Sequence, residues 1–230
     1  MKQIYKPFRL NPYILIWGIV SLAGFSIMAF IATRQPMNSI DLSIAAWVQG
    51  YENEHLTGIM MLFSTLGSVR FSILIMSMAM AVLFFVLQHR MELLFLAASL
   101  GGAALMNKIL KLGFQRERPL VHRLIEETGY SFPSGHAMGA FALYVALTFL
   151  LWRHVRSRSG RILLIVLSCM MIFMICVSRI YLGVHYPSDI IGALLASGLW
   201  LTVMIGIFQW YAWYTGRSTL LSRPKTPGSR

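Results

Sequence analysis

Six long stretches that are almost free of charged residues constrain the fold of this 230-residue chain. A helix that crosses the hydrocarbon core of a bilayer needs about 20 apolar residues, with a usual range of roughly 17–25. Because backbone groups inside lipid must bond to one another, uninterrupted stretches of this kind form helices. The sequence therefore predicts an all-α, polytopic membrane protein with six transmembrane helices, over residues 13–32, 71–87, 93–112, 137–152, 162–177 and 190–211.

The composition separates this chain from soluble proteins that bind nucleic acid. Hydrophobic residues make up 57% of the chain and charged residues 12%, whereas soluble domains average about 25% charged residues. A net charge of +12 is typical of nucleic-acid binders, but here the cations lie between apolar stretches. We therefore expect a membrane protein with no nucleic-acid partner.

The distribution of basic residues predicts the orientation in the membrane. With the N-terminus in the cytoplasm, the cytoplasmic segments hold twelve of the twenty basic residues and one of the eight acids. An excess of Lys and Arg marks the cytoplasmic side. We expect cytoplasmic N- and C-termini, a six-span membrane domain over residues 1–216 and a flexible basic cytoplasmic tail over residues 217–230. The first stretch is interpreted as an uncleaved span, since its apolar core is longer than that of a signal peptide.

A short amphipathic surface helix is predicted over residues 38–49, between the first two spans. Ile40, Ile44, Trp47 and Val48 fall on one face of such a helix. This pattern indicates a helix that lies on the outer membrane surface. Two roles stay open for it, covering an entrance for lipid and packing against the bundle.

The two cysteines, Cys169 and Cys176, are expected to be free packing residues. Seven residues of helix separate them by about 10 Å, which is too far for a disulfide. The sequence contains no cluster of Cys and His residues with the spacing of metal ligands. We therefore expect neither a metal nor a cofactor.

The first of three polar segments at the ends of the apolar stretches contains Lys111, Arg118 and Pro119. Seven residues is almost two helical turns, so the two cations share a face if the helix continues, although Pro119 disfavours helix at Arg118. Two cations at a membrane boundary suit an anionic headgroup. The alternative is two long side chains that extend to the interface. Three nearby residues can add to the electrostatic field that attracts such a headgroup: Asn107, Lys108 and Arg116.

The second segment, Pro133-Ser134-Gly135-His136, opens the fourth predicted span. Ser134 is a favoured N-cap residue, and Gly135 leaves the backbone open to close approach. The free N–H groups of a helix N-terminus bind phosphate. The alternative is an ordinary turn, in which Pro, Ser and Gly are common.

The third segment runs from Ser178 and Arg179 to His185 and Asp189. Asp189 follows Pro187, which fits the first position of a helix, so Asp189 can be a helix cap. Its other interpretation is a partner that accepts a hydrogen bond from His185, as in other His–Asp pairs. A neutral ring nitrogen of His185 would then face the phosphate as a nucleophile.

Two histidines beside fixed cations indicate phosphoryl chemistry. One histidine can attack phosphorus while the other protonates the departing oxygen. Arginines and backbone N–H groups can stabilise the charge on the three equatorial oxygens. Charges inside a span are costly, so these residues are expected to face a wet cavity that binds anions.

Together the three segments resemble the type 2 phosphatidic acid phosphatase superfamily, whose pattern is K-x6-R-P, P-S-G-H and S-R-x5-H-x3-D. Every position of that pattern is present, from Lys111 to Asp189. The resemblance implies that His185 is the nucleophile and forms a phosphohistidine, with Asp189 as its partner. It implies that His136 protonates the leaving group and then assists the water that breaks the intermediate. It also implies a set of residues that hold the phosphate without a metal: Lys111, Arg118, Ser134, Gly135 and Arg179.

The resemblance is closest to small bacterial membrane members that act on undecaprenyl diphosphate, phosphatidylglycerophosphate or phosphatidic acid. Since all three segments are predicted on the outer side of the plasma membrane, recycling of undecaprenyl diphosphate is the favoured role. Two alternatives stay open, a non-catalytic binder or transporter of anionic lipid and an enzyme that transfers phosphate between lipids. The oligomeric state is not predicted.

Overall fold

The computed structural model describes residues 11–35, 38–86, 90–120 and 122–215. Within these ranges the chain forms α-helices, one π-helical turn and connecting loops, and no β-strand occurs among them. The all-α prediction is confirmed, whereas the predicted tail over residues 217–230 lies outside the described residues. The helices are α1 (Pro12–Arg34), α2 (Ser39–Gln49), α3 (Glu54–Leu66), α4 (Val69–Ala81, followed by the π-helical turn Val82–Val86), α5 (Arg90–Phe114), α6 (Gly135–Leu151), α7 (Arg158–Tyr181) and α8 (Pro187–Tyr214).

Five helical segments among the described residues are long and apolar enough to cross a membrane. They are Pro12–Arg34, Val69–Val86, Met91–Phe114, Arg158–Tyr181 and Pro187–Tyr214. Each coincides with a predicted span. The remaining predicted span coincides with α6, an apolar helix of 17 residues. Five candidate spans therefore agree with the sequence, and six crossings stay a prediction.

The short helix α6 lies at the centre of the bundle and contacts α4, α5, α7 and α8. Its buried residues include four alanines, Ala137, Ala140, Ala142 and Ala146. Small side chains let neighbouring helices approach closely, which is how membrane helices pack without a hydrophobic driving force between them. The longer helices α5, α7 and α8 therefore enclose the 17 residues of α6.

Large apolar side chains cover the outside of the bundle. Ile19 on α1 is 68% exposed and Phe173 on α7 is 64% exposed. Exposed apolar surface of this extent marks contact with another apolar phase, here the bilayer. The chain is therefore a multi-pass membrane protein.

Two short helices join α1 to α4. The predicted surface helix coincides with α2, which begins after the N-cap Asn38. Of its predicted apolar face, Ile40, Ile44 and Trp47 are exposed and Val48 packs against the bundle. Its place at a membrane surface stays a prediction. The helix α3, which packs against α7, was not predicted from the sequence.

The end of α5 corrects one geometric expectation about the first polar segment. The helix stops at Phe114, and Gln115 has a positive φ of 47°, a left-handed conformation that is common just after a helix end. Arg118 therefore lies in the loop over residues 115–134, and not on the same helical face as Lys111. The loop returns the chain to α6, where Ser131 N–H donates to the Arg116 carbonyl oxygen at 2.8 Å.

The turn between α7 and α8 needs a glycine. Gly183 has a φ of +72°, and a Cβ placed there would lie 2.3 Å from the His122 carbonyl oxygen. Only glycine fits such a conformation so close to another backbone. The turn thereby holds His185 against the loop over residues 115–134.

Candidate active site

The three polar segments meet at one end of the bundle, around a cavity of about 550 Å³ between α4, α5 and α6. Five of the predicted site residues line this cavity: Lys111, Arg118, Gly135, His136 and His185. The other three, Ser134, Arg179 and Asp189, are buried next to it. The structure therefore brings all eight predicted site residues to one place.

His185 and Asp189 form a buried pair. His185 Nδ1 lies 3.3 Å from Asp189 Oδ2, and the same oxygen accepts a hydrogen bond from the Tyr186 backbone N–H at 2.9 Å. Both interpretations of Asp189 are thus realised, since it caps α8 and also contacts the histidine. Because a carboxylate can only accept, the proton of the neutral ring is assigned to Nδ1. The lone pair of Nε2 then faces the cavity.

The surroundings of His185 favour its neutral form. Burial lowers the pKa of His185 well below its ordinary value, and the positive charges of Arg118, Arg179 and Lys111 lower it further. Desolvation and nearby cations both disfavour an imidazolium. At neutral pH the ring is therefore uncharged, and its unprotonated Nε2 keeps the lone pair that a nucleophile requires.

Arg118 is held rigidly beside His185. Its Nη1 donates to the Val184 carbonyl oxygen at 2.9 Å and lies 3.3 Å from His185 Nε2. Its Nε and Nη2 donate to the carbonyl oxygens of Gly129 and Thr128 at 3.0 and 3.2 Å. A guanidinium fixed in this way is positioned to bind a phosphate at the nucleophile without reorganising.

Arg179 is buried on the other side of the site, where it contacts Ser64 on α3 and the carboxylate of Glu127. The other oxygen of Glu127 lies 3.8 Å from Arg118 Nη2. Burial alone would raise the pKa of Glu127, but Arg179, His136 and Arg118 lower it overall. Glu127 is therefore an ionised acid between the two arginines, a role that the sequence analysis missed.

The N-terminus of α6 borders the cavity as predicted. The Ser134 side chain caps the helix by accepting from the Ala137 N–H. Asn107 on α5 donates to the Pro133 carbonyl oxygen at 2.9 Å, and a Cβ at Gly135 would lie 3.1 Å from Asn107 Oδ1. The glycine thus allows α5 to pack against the start of α6, so that the first turn, with its free N–H groups, borders the cavity.

Arg116 has a different position from the one expected. From the sequence, Arg116 was expected to add to the electrostatic field around the phosphate, but its side chain lies behind Asp189. Its Nη1 donates to Asp189 Oδ1 at 2.6 Å and its Nη2 to Asp41 Oδ2 at 3.0 Å. The contact with Asp41 on α2 was not predicted, because 75 residues separate the two in sequence.

A larger cavity, of about 830 Å³, lies near the start of α2 and the end of α5. Neither His136 nor His185 lines it, so the smaller cavity is the candidate active site. No group of three or more His, Cys, Asp or Glu residues with the geometry to hold a metal ion occurs in the described part of the chain. Cys169 and Cys176 are free, but the prediction that both pack inside the bundle holds for Cys176 and not for Cys169, which is exposed.

The chain is similar to known proteins over most of its length. Residues 92–213 match the family model described as the PAP2 superfamily. The chain is 32% identical over 207 residues to phosphatidylglycerophosphatase B of Bacillus subtilis (strain 168), a match that covers 90% of this chain and 96% of that protein. It is 28% identical over 152 residues to the undecaprenyl-diphosphatase BcrC of the same bacterium, covering 64% of this chain and 72% of that protein.

A solved structure is also similar. The crystal structure of a transmembrane PAP2-type phosphatidylglycerolphosphate phosphatase from Bacillus subtilis superposes with a TM-score of 0.77. The sequences are 26% identical, and the match covers 83% of this chain and 94% of that chain.

Proposed function

The chain belongs to the PAP2 superfamily, and from that premise we propose that it hydrolyses the phosphate of a lipid headgroup through a phosphohistidine intermediate. The observation that carries this proposal is the cavity of about 550 Å³, which has one polar and one apolar end. Lys111, Arg118, His136 and His185 line the polar end. Apolar residues of the membrane helices line the rest of it: Ile73, Met76, Leu100, Ala103 and Met138.

An amphiphilic cavity fits a lipid better than a soluble phosphate ester. The cationic end would bind the phosphate, and the apolar part between α4, α5 and α6 would hold the first part of the hydrocarbon chain. A non-catalytic lipid binder needs only the cations. Binding alone does not require a histidine whose Nδ1 faces a carboxylate and whose unprotonated Nε2 faces the cavity, so this contact between His185 and Asp189 supports the enzyme.

The geometry supports a double displacement at phosphorus. His185 Nε2 attacks phosphorus, the bond from phosphorus to the leaving oxygen breaks, and His136 donates a proton to that oxygen. Asp189 stabilises the positive charge that develops on the ring. Arg118, Arg179, Lys111 and the N–H groups of the first turn of α6 bind the phosphoryl oxygens. A water then breaks the P–N bond, His136 accepts its proton, and phosphate and neutral His185 are released.

Undecaprenyl diphosphate is the substrate that we propose, with the active site on the extracytoplasmic side of a bacterial plasma membrane. The similarity to undecaprenyl-diphosphatase BcrC supports this choice. Phosphatidylglycerophosphate is the second candidate, supported by the longer match to phosphatidylglycerophosphatase B. Transfer of phosphate to a second lipid would share the phosphohistidine, and a dependence of the rate on added acceptor lipid would reveal it.

We expect purified protein in detergent with chelator to release phosphate from lipid substrates. In the Gly101→Leu variant, we expect this activity to fall for long-chain lipids and not for a small phosphate ester. Gly101 lines the apolar part of the cavity, about 15 Å along α5 from Lys111, and a Cβ there meets nothing within 4 Å. A leucine should obstruct the hydrocarbon chain and lower kcat/KM for long-chain lipids by about tenfold or more. The rate with p-nitrophenyl phosphate, which has no such chain, should stay within about twofold.

The measurement compares undecaprenyl diphosphate, phosphatidylglycerophosphate and phosphatidic acid in parallel. Gly58→Leu on α3 is the matched control, because its Cβ also meets nothing within 4 Å but Gly58 does not line the cavity. Equal losses on lipid and on p-nitrophenyl phosphate would contradict the assignment of the chain-binding part. No release from any lipid would contradict the proposed function, and restoration of activity by a divalent ion alone would contradict metal independence.

The proposed orientation predicts opposite labelling of two loops in intact cells. Glu126 is exposed in the loop over residues 115–134, beside the site, and Arg156 is exposed between α6 and α7. In a Cys169→Ala/Cys176→Ala background, a membrane-impermeant maleimide should label Glu126→Cys in intact cells. Arg156→Cys should be labelled only after permeabilisation, and the reverse pattern would place the active site in the cytoplasm.

A further inference from the structure

Asp41 links the surface helix α2 to the catalytic pair. Among the eleven residues of α2, all of which the structure describes, only Asp41 is buried. It is 3% exposed, while its neighbours Ile40 and Leu42 are 64% and 45% exposed. A carboxylate buried in this way is costly unless it is paired, so its partners indicate its purpose.

Those partners lie directly behind the catalytic histidine. Asp41 Oδ2 accepts from Arg116 Nη2 at 3.0 Å and from the Ser188 hydroxyl, and Asp41 Oδ1 accepts from the Ser188 backbone N–H at 2.9 Å. Arg116 Nη1 donates to Asp189 Oδ1 at 2.6 Å and to Ser188 Oγ at 2.7 Å. Asp189 Oδ2 faces His185 Nδ1. The chain of contacts therefore runs from Asp41 through Arg116 and Asp189 to His185.

The charge count of this cluster explains why two carboxylates share one guanidinium. Counted as carboxylates, the form that their hydrogen bonds from Arg116 favour, Asp41 and Asp189 carry two negative charges against the one positive charge of Arg116, so one net negative charge lies behind His185. Among the described residues, the cluster also contacts the side chains of Ser188, Ser131 and Tyr186, which carry no charge. If Asp41 were absent, the positive charge of Arg116 would cancel the negative charge of Asp189. Asp189 could then no longer stabilise a positively charged His185 ring.

We infer that Asp41 is a positioning residue for the reaction. By sharing Arg116 with Asp189, Asp41 prevents the charge of Arg116 from cancelling the negative charge of Asp189. The need arises when His185 Nε2 forms its bond to phosphorus while Nδ1 keeps its proton. The ring then becomes positively charged in a place from which water is excluded and which already holds Arg118 and Arg179. One net negative charge at Nδ1 stabilises that state more than it stabilises the neutral ring, and so it lowers the barrier.

If Asp41 acts through its charge, the activity of the variants should depend on the net charge of the cluster. A role in packing alone would not produce this dependence. Asp41→Asn keeps the shape of the side chain but leaves the cluster with no net charge. We expect kcat to fall by about 10- to 100-fold with KM changed by less than about threefold. Arg116→Gln leaves two buried acids that repel each other without their shared cation, so it should lose activity because Asp189 is displaced from His185. The double variant Asp41→Asn/Arg116→Gln restores one net negative charge, so its kcat should exceed that of Asp41→Asn.

Steady-state kinetics and single-turnover formation of the phosphoenzyme, on protein that is monodisperse in detergent, test this prediction. Glu117→Gln is the matched control, since it removes one exposed carboxylate next to Arg116 in the same loop and should stay within about twofold of wild type. If Asp41 merely caps α8 through Ser188, the double variant will be no better than Asp41→Asn, and this result would overturn the inference. If Arg116→Gln does not fold, a wild-type rate of phosphoenzyme formation in Asp41→Asn overturns it equally.

The inference rests on the proposed function, but the two fail in different ways. A wild-type protein without phosphatase activity would remove the proposed function. An active wild type with a fully active Asp41→Asn variant would remove only the role of Asp41.

Discussion

Replacing His185 with alanine is expected to reduce phosphate release from lipid by about 10⁴-fold or more. His185 Nε2 is the atom that we expect to bond to phosphorus, and a methyl group cannot replace it. The cations and the first turn of α6 stay in place, so the variant should still bind substrate. Phosphate release and trapping of a labelled phosphoenzyme, which for phosphohistidine is labile in acid and stable in base, measure the two effects.

The fold of the variant needs a separate check, because His185 is only 2% exposed. Conservation of the elution volume in detergent and of helical circular dichroism would indicate an intact bundle, and His185→Gln preserves more of the packing. His55→Ala, at an exposed position on α3, is the control for the loss of a histidine as such. A folded His185→Ala variant that retained full activity would exclude His185 as the nucleophile.

The contact between His185 and Asp189 could be predicted from the sequence because its geometry is local. His185 and Asp189 are four residues apart, and the start of α8 is marked by Pro187, so their contact follows from one turn and one helix start. Ser134 could be predicted as an N-cap for the same reason. Local rules of this kind depend on backbone geometry over a few residues and not on the tertiary fold.

The remaining members of the site depend on contacts between distant segments. Glu127 lies in a loop with no motif of its own, and it reaches Arg179 only because the loop over residues 115–134 folds back across the turn between α7 and α8. Asp41 has an ordinary position near the start of α2, and only the packing of α2 against the start of α8 reveals its partner. No periodicity or spacing in the sequence encodes such pairs.

The fold shows the same division between local pattern and tertiary context. Length and hydropathy were sufficient to locate the long helices, because the bilayer imposes both. The helix α3 was missed because its sequence mixes apolar residues with His55, Thr57, Gly58 and Thr65 and has no span-like pattern. Its helical conformation is stabilised by packing against α7, where Met60 is buried beside Tyr181 and Leu182. Tertiary packing of this kind outweighs weak intrinsic propensity.

Replacing His136 with alanine should separate the two halves of the reaction. With a lipid substrate the leaving oxygen needs a proton, so we expect kcat to fall by about 10²- to 10⁴-fold. With p-nitrophenyl phosphate the leaving group departs without that proton. His185 should then still be phosphorylated, but no base remains to activate water for the second step.

The expected result is a burst of about one equivalent of nitrophenol followed by slow turnover, with a phosphohistidine that accumulates and can be trapped. His185→Ala should give neither the burst nor the trapped species, so the pair of variants assigns the two histidines independently. The opposite result, phosphate trapped in His185→Ala and none in His136→Ala, would exchange their roles. The contact of Asp189 with His185, and the absence of any such carboxylate contact to His136 among the hydrogen bonds of the described residues, favours the first assignment. A nucleophile that becomes cationic on bonding to phosphorus is stabilised by the fixed negative charge of the carboxylate beside it.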